Sequence, residues 1–444
     1  MFNRKQLARL IWPLIVEQFL AVAIGMADTV MVTSCGEAAV AGVSLVDSIN
    51  VLLINIFSAL ATGGAILASQ YIGRQDKEQA NVAAKQLVLV TAGISVLVMA
   101  ICLFANASLL HMVFGEAEAD VMTNAETYFF WSALSYPFLA LYNAGAALFR
   151  AMGNSRISMF TALLMNALNI GGNALLIYGM NMGVAGAAIA SLVSRFVGAA
   201  IMLALLRLRH QMIRLDSLIR LGFHPPMIRQ ILGVGVPNGL ENGMFQIGKI
   251  LVQRLITVLG TASISANAVA NNLDAVGAII GQAMGLAVIT VVGRCVGAQD
   301  MQQVVYYTKK LMLWDYIAQG IANAAVILSL GVVLNMYTLS PETRSLAAEL
   351  VIIHCAMGIL IWPAAFVLPN ALRAANDVKF TMVASVVSML VWRLAFSWIL
   401  CVNMGWGAVG VWWAMVIDWV CRSICFVGRF VSGVWKKKAV KIPN

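Results

Sequence analysis

Runs of about twenty apolar residues, separated by short charged or turn-rich islands, follow one another from end to end of this chain, and that alternation leaves few folds open. Of the 444 residues 61% are hydrophobic and only 11% charged, against roughly 45–50% apolar usage in soluble domains. A water-soluble core cannot absorb the surplus, so it must face lipid. Within lipid every backbone N–H and C=O has to be satisfied inside the protein, and apolar runs of this length do so as helices. The nine prolines and 36 glycines are scattered through apolar segments, and no Ser/Gly-rich or Pro-rich linker marks a soluble domain. The seven cysteines, Cys35, Cys102, Cys295, Cys355, Cys401, Cys421 and Cys425, lie in or beside apolar runs without zinc or disulfide spacing, and read as small hydrophobes.

Apolar runs between breaks predict twelve helices, near 10–33, 46–71, 86–107, 126–150, 157–179, 184–206, 231–257, 265–292, 308–334, 347–372, 379–401 and 407–430. An even count puts both termini on one side. One set of connections carries Arg4, Lys5, Arg9, Arg74, Lys77, Lys85, Arg150, Arg156, the segment Arg207 to Arg229, Arg294, Lys309, Lys310, Arg373, Lys379 and Lys436 to Lys438. The other holds Arg344 with acids such as Glu37, Glu116, Glu118, Asp120 and Glu342. The positive-inside rule makes the first set cytoplasmic, in the plasma (inner) membrane. The net charge of +10 is thereby a topology signal, and no nucleic-acid partner is expected. The basic start MFNRKQLARL precedes an apolar run without a convincing small-residue cleavage site before Asp28, so it is expected to remain as the first helix.

The chain repeats itself. Pro13 and Glu17 recur as Pro237 and Glu241, Gly36 as Gly260, Ala59 as Ala283, Gly73-x-Gln75-Asp76 as Gly297-x-Gln299-Asp300, Gln79 as Gln303 and Lys85 as Lys309, all 224 positions apart. With small gaps the echo continues from Asn143 and Arg150 to Asn370 and Arg373, and from Gly183-Val-Ala-Gly186 to Gly407-Ala-Val-Gly410. Two six-helix lobes follow: 1–206 and 231–430, a basic cytoplasmic linker 207–230 between them and a basic tail 431–444. Six helices return the chain to its starting side, so the copies form a parallel pseudo-two-fold repeat about an axis along the membrane normal, with the transport path expected between them. A chain that encloses its own pathway needs no second copy, and a monomer is expected.

The P-x-x-x-E first helix ending Met26-Ala-Asp28-Thr-Val-Met31-Val, the stretches Ala59-Leu-Ala-Thr-Gly-Gly64 and Ser69-Gln70-Tyr-Ile-Gly73, and Leu148-Phe-Arg-Ala-Met-Gly-Asn154 resemble the multidrug and toxic compound extrusion (MATE) family over nearly the whole chain. The resemblance implies a twelve-helix antiporter with two lobes around a central cleft, exporting organic, often cationic, compounds in exchange for sodium ions or protons. It also implies that Asp28 is the first-lobe carboxylate of cation coupling, joined by Asn169, Asn173 and Ser191. Asn173 stands where many relatives carry an acid. The family's tenth-helix acid has no match in Phe366-Val-Leu-Pro-Asn-Ala, and its seventh-helix acid lies where this chain has Phe245.

The residues themselves fit that chemistry while leaving alternatives. An ionisable group inside a membrane helix is costly unless paired or hydrated, and so invites a functional hypothesis. Asp28 lies two-thirds along the first helix, or at its solvated outer end. Asn166, Asn169 and Asn173 share one helical face, as oxygen ligands to a sodium ion with Asp28 or as interhelical hydrogen-bond glue. Glu17 and Glu241, one turn after a helix proline, are candidates for ion or proton coupling, or else snorkelling acids near the cytoplasmic ends. Lys249, Arg254 and Arg393 make the second lobe cationic. Glu241, Asp274 and Asp418 are their available partners in a structural ion-pair cluster; facing the cleft instead, Lys249 and Arg393 would suit an anionic or zwitterionic substrate. His354 is either a titrating substrate-linked residue or a hydrogen-bonded packing residue. The 24 methionines read mainly as lipid-facing. No nucleotide loop, dinucleotide fingerprint or His/Glu/Cys metal spacing occurs, so no enzyme, cofactor or ATP-driven pump is expected. An ion gradient, Na+ or H+, is left to drive movement of a small molecule. The competing reading is a flippase or an exporter of an anionic, zwitterionic or lipid-linked substrate.

Overall fold

A computed structural model describes residues 2–115, 118–208, 211–215, 222–337 and 339–440. Glu116, parts of the predicted linker (209–210 and 216–221) and the tail end 441–444 lie outside the described residues. The chain is helical throughout these segments: α1 (Arg4–Val32), α2 (Glu37–Gly73), α3 (Lys77–Phe104), the short α4 (Asn106–Phe114), α5 (Ala119–Ala151), α6 (Ser155–Gly179) and α7 (Gly183–Leu206). The second half follows with α8 (Pro225–Thr257), α9 (Thr261–Gly297), α10 (Met301–Asn335), α11 (Pro341–Ala374), α12 (Val378–Asn403), α13 (Gly407–Val431) and the short α14 (Lys436–Ala439). All but α4 and α14 correspond to the twelve predicted helices, and the fold is an all-α integral membrane protein of twelve transmembrane helices in two six-helix lobes.

Nine helical stretches among the described residues are long and apolar enough to cross a membrane. Helices α5, α8 and α13 are not among them, because tyrosines, serines and Asn143 dilute α5 while Glu241, Lys249 and Arg254 interrupt α8 and Asp418, Arg422 and Arg429 interrupt α13. Large apolar side chains on the outer surface, such as Phe104, Leu328 and Val258, are almost fully uncovered by protein, as lipid contact requires.

Several helices begin up to nine residues earlier than apolar runs suggest, since polar first turns are capped rather than broken. Asp76 and Asp300 each accept from the backbone N–H three residues on, at 3.0 Å in both copies, an N-cap that starts α3 and α10. Just before them Gln75 and Gln299 hold left-handed φ of 62° and 56°, the turn the repeated G-x-Q-D stretch makes. Gly186 and Gly410 recur likewise. A Cβ on Gly186 would lie 3.0 Å from the Leu176 side chain, and one on Gly410 would lie 2.9 Å from the Leu400 carbonyl oxygen, so in both copies glycine lets α6 meet α7 and α12 meet α13 at backbone distance.

The chain divides into two compact units, Phe2–Gly239 and Leu240–Asn444. The division falls inside α8: its first turns pack on α2, where a Cβ at Gly63 would meet the Ile231 carbonyl oxygen at 2.8 Å. In the first unit one apolar core joins α2, α3, α5 and α7 and another joins the opposite end of the same helices; in the second, α8, α9, α10, α11 and α13 share one. All seven cysteines are free thiols.

Candidate functional site

Two kinds of polar cluster lie within these helices, one set matched between the repeats and one set that differs. The matched set is an ion pair. Glu17 of α1 accepts from Arg150 Nη1 at 2.8 Å and from Ser158 Oγ at 2.6 Å; Glu241 of α8 accepts from Arg373 Nη2 at 2.6 Å. All four charged groups are at most 13% exposed. A buried carboxylate needs such a partner, and the repeat supplies it twice through Arg150 and Arg373. The copies diverge in one detail: both oxygens of Glu17 are bonded, whereas Glu241 Oε2 is buried without a hydrogen-bond partner.

The set that differs starts at Asp28. Asp28 Oδ1 accepts from Asn173 Nδ2 at 2.5 Å, Asn173 Nδ2 also reaches Asn169 Oδ1 at 3.4 Å, and Asn169 Nδ2 donates to Ser191 Oγ at 3.0 Å. Asn169 and Asn173 are wholly buried. Asn173 Oδ1 is buried with no donor. Asn166 does not join: its amide donates to the Ala162 carbonyl of its own helix at 2.9 Å. Glu17 stands eleven residues before Asp28, roughly 16 Å along α1, so the two belong to separate clusters. Around Asp28 the surrounding charges are Asp47 of α2 and Arg195 of α7. Asn50 donates to Asp47 at 3.2 Å and accepts from Tyr136 Oη at 2.9 Å, while Arg195 Nη1 donates to Ser135 Oγ at 2.6 Å. Asp47, Asn50 and Arg195 belong to no motif; their sequence signal is only a charge or amide set inside an apolar run.

At the matching positions 224 further on, the second unit has Val252, Arg393, Ser397 and Met415, and the oxygen cluster is gone. In its place, guanidinium and ammonium groups gather about one ring: Lys249 Nζ, Arg393 Cζ and Arg422 Cζ lie 5.7, 5.5 and 5.6 Å from the Phe245 centroid, at cation–π distance. Asp418, fully buried, accepts from Arg422 Nε at 2.8 Å and Ser388 Oγ at 2.5 Å, and Arg393 Nη1 stands 3.8 Å from its other oxygen. Of the expected partners, Asp418 therefore serves Arg393 and Arg422, and Glu241 serves Arg373. Asp274 serves His354, whose Nε2 lies 2.9 Å from Asp274 Oδ1, its ring edge-on to Trp412 and Trp419. Among the described residues no carboxylate lies within 4.0 Å of Lys249. Among them also, no three His, Cys, Asp or Glu side chains form a metal-holding group.

Repeated six-helix bundles carrying buried ionisable clusters are the architecture of a membrane transporter. The family model MatE matches residues 13–175 and again 237–399, two matches offset by the repeat's own spacing, and the chain belongs to that family. It is 28% identical, over 97% of its length and 95% of the relative's, to an uncharacterized transporter, YisQ, of Bacillus subtilis. It is 24% identical, over 98% and 94%, to a probable multidrug resistance protein, NorM, of Thermotoga maritima. A crystal structure of MATE in the bent conformation superposes with a TM-score of 0.87 over 99% of this chain and 97% of that one, at 20% identity. A MOP superfamily transporter from Pyrococcus furiosus, described as having a binding pocket of reversed polarity, matches with a TM-score of 0.87 over 97% and 96%, also at 20% identity.

Proposed function

We propose that this chain is a secondary antiporter that exports organic, cationic or amphipathic compounds in exchange for Na+ or H+, with Asp28, Asn169, Asn173 and Ser191 as its coupling site. The observation that carries the reading is the buried Asn173 Oδ1 without a donor, beside a carboxylate whose hydrogen-bond partners are the side-chain amides of Asn173 and Asn169. A buried acceptor left unbonded costs stability, and a cation is the partner it lacks. Carboxylate, amide and hydroxyl oxygens are the ligand set of a hard cation; a proton would occupy Asp28 alone. Ion binding moves a conformational equilibrium only by its differential affinity for the two states, so alternating access requires the cluster to close in one state and open in the other. The distribution of basic residues supports cytoplasmic termini in the inner membrane, and a single chain with both lobes supports a monomer.

A second reading is favoured by the Phe245 cluster. Lys249 with no carboxylate at hand, above a ring also faced by Arg393 and Arg422, suits an anionic, zwitterionic or lipid-linked substrate, in keeping with the reversed polarity described for the Pyrococcus furiosus transporter.

Efflux of a fluorescent organic cation in everted vesicles, energised by a sodium or a proton gradient, tests the first reading. Gradient-driven movement that disappears in Asp28→Asn supports it, and the effective gradient identifies the ion. Movement unaffected by Asp28→Asn refutes the coupling site, and movement of anions but no cation replaces the first reading with the second.

A further inference from the structure

Helix α10 carries Asp315, Gln319 and Asn323 one above another on a single face, and all three are buried, Asp315 completely. Both Asp315 oxygens accept from Gln319 Nε2, at 3.1 and 3.0 Å, and among the described residues no Lys, Arg or His comes within 4.0 Å. The charged groups on the packed helices are engaged elsewhere or lie at helix ends. Asp274 of α9 is with His354 of α11, Arg373 of α11 is with Glu241, and Arg294 closes α9 in its last turn. Glu342 and Arg344 occupy the first turn of α11 and Glu349 its third. On α10 itself, Lys309 precedes the acid by six residues, and Lys310 lies over the rings of Tyr306, Tyr307 and Trp314.

We propose that Asp315 is a reversible proton-binding site of the second unit, separate from the cluster at Asp28. A carboxylate buried in the bilayer with one amide donor and no counter-charge is strongly disfavoured, whereas the neutral acid is not. The helices therefore fit closely around the protonated form. The fit is tight on the amide side as well: a Cβ at Gly281 of α9 would lie 2.7 Å from Gln319 Nε2, and one at Gly277 would lie 3.0 Å from Asn323 Oδ1. Helix α10 also packs against the wide helical turn Pro363–Val367 of α11, and such π-turns recur at functional sites. Loss of the proton would have to admit water or a cation by shifting α9, α10 or α11, which makes Asp315 a proton-operated latch on their packing. The repeat supports the assignment. The first unit has Thr91 and Ser95 at the matching places, hydroxyls that bond their own helix backbone, so the acid is not part of the shared scaffold.

The latch bears on coupling only if the chain is the proposed antiporter, but its test needs no transported substrate. Infrared difference spectra of the full chain in lipid nanodiscs follow the carbonyl band of a neutral carboxylic acid as pH is raised and lowered across neutrality. The expected result is a band that comes and goes reversibly in wild type and in Asp28→Asn and is lost in Asp315→Asn. Gln319→Leu, which removes the one donor, should keep the band and move its midpoint. An Asp315 band that persists at every pH at which the protein stays folded, or no band lost on Asp315→Asn, overturns the proposal. A titrating Asp315 band in a protein that moves no cation would refute the function proposed above and leave this site standing.

Discussion

Replacing Glu17 by leucine separates a scaffold role from a coupling role. The substitution removes the acceptor of Arg150 and of Ser158 and strands a guanidinium only 13% exposed. Removing one member of a buried ion pair costs about 3–5 kcal/mol. Polar contacts between membrane helices average nearer about 0.6 kcal/mol, because the membrane-inserted unfolded chain finds other partners; the lower end, about 3 kcal/mol, is the expected loss for Glu17→Leu. Deleting the stranded charge too, in Glu17→Leu with Arg150→Met, should recover most of it, the non-additivity of a paired unit. In the second copy Arg373 keeps its bond to Asn370 Oδ1 at 2.7 Å and no serine is orphaned, so Glu241→Leu should cost less by about one hydrogen bond, about 1 kcal/mol. Unfolding in bicelles by graded SDS measures all three. If Glu17→Leu unfolds like wild type yet abolishes gradient-driven transport, Glu17 is a coupling acid and the scaffold reasoning is wrong.

Other substitutions probe the remaining clusters. Asn173→Leu removes the orphaned carbonyl and the amide donor to Asp28 together, and should abolish any sodium-dependent protection of the first unit from proteolysis; protection undiminished in the variant would show that the ion binds elsewhere. Gly410→Leu places a side chain against the Leu400 carbonyl oxygen and should destabilise by about 1–3 kcal/mol through overpacking, read as a lower melting temperature in detergent, whereas the same change at Gly93, where a Cβ meets nothing within 4 Å, should leave melting unchanged. Lys249→Ala should raise efflux of organic cations relative to organic anions in competition assays; an unaltered ratio would remove Lys249 from substrate selection.

Much of the fold is legible in the sequence because lipid imposes one dominant rule, that apolar runs become helices, and because the repeat checks the count. The boundaries are less legible. Glu37 and Lys77 look like breaks but are first-turn residues of α2 and α3, and the wide turns in α6, α11 and α12 carry no marker beyond Pro363. The Asp28 cluster is legible as a motif, since Asn169 and Asn173 stand one turn apart on α6 facing Asp28. Asn166 is not separable from them by periodicity, because whether an amide bonds across helices or back to its own carbonyl depends on the neighbour it meets. Asp47, Arg195 and Asp315 escape motif reading altogether, although each is a charge inside a predicted helix or at its edge, the signal that membrane energetics makes worth following.

The repeat also sorts structure from chemistry. Both copies keep the Gly186 and Gly410 crossings, the Asp76 and Asp300 caps, and the Glu17–Arg150 and Glu241–Arg373 pairs, each of which starts a helix or joins two. Where the copies part, polar groups are buried without a scaffold reason. Asp28, Asn169 and Ser191 correspond in the repeat to Val252, Arg393 and Met415, and Thr91 and Ser95 to Asp315 and Gln319. Burying a charge is costly wherever it happens, and a duplicated scaffold shows that the helices pack without it. The first unit's oxygen-rich cluster and the second unit's cationic ring and isolated acid are thus additions to a common frame, and they differ in the charge they present: oxygen acceptors in one unit, guanidinium and ammonium groups in the other.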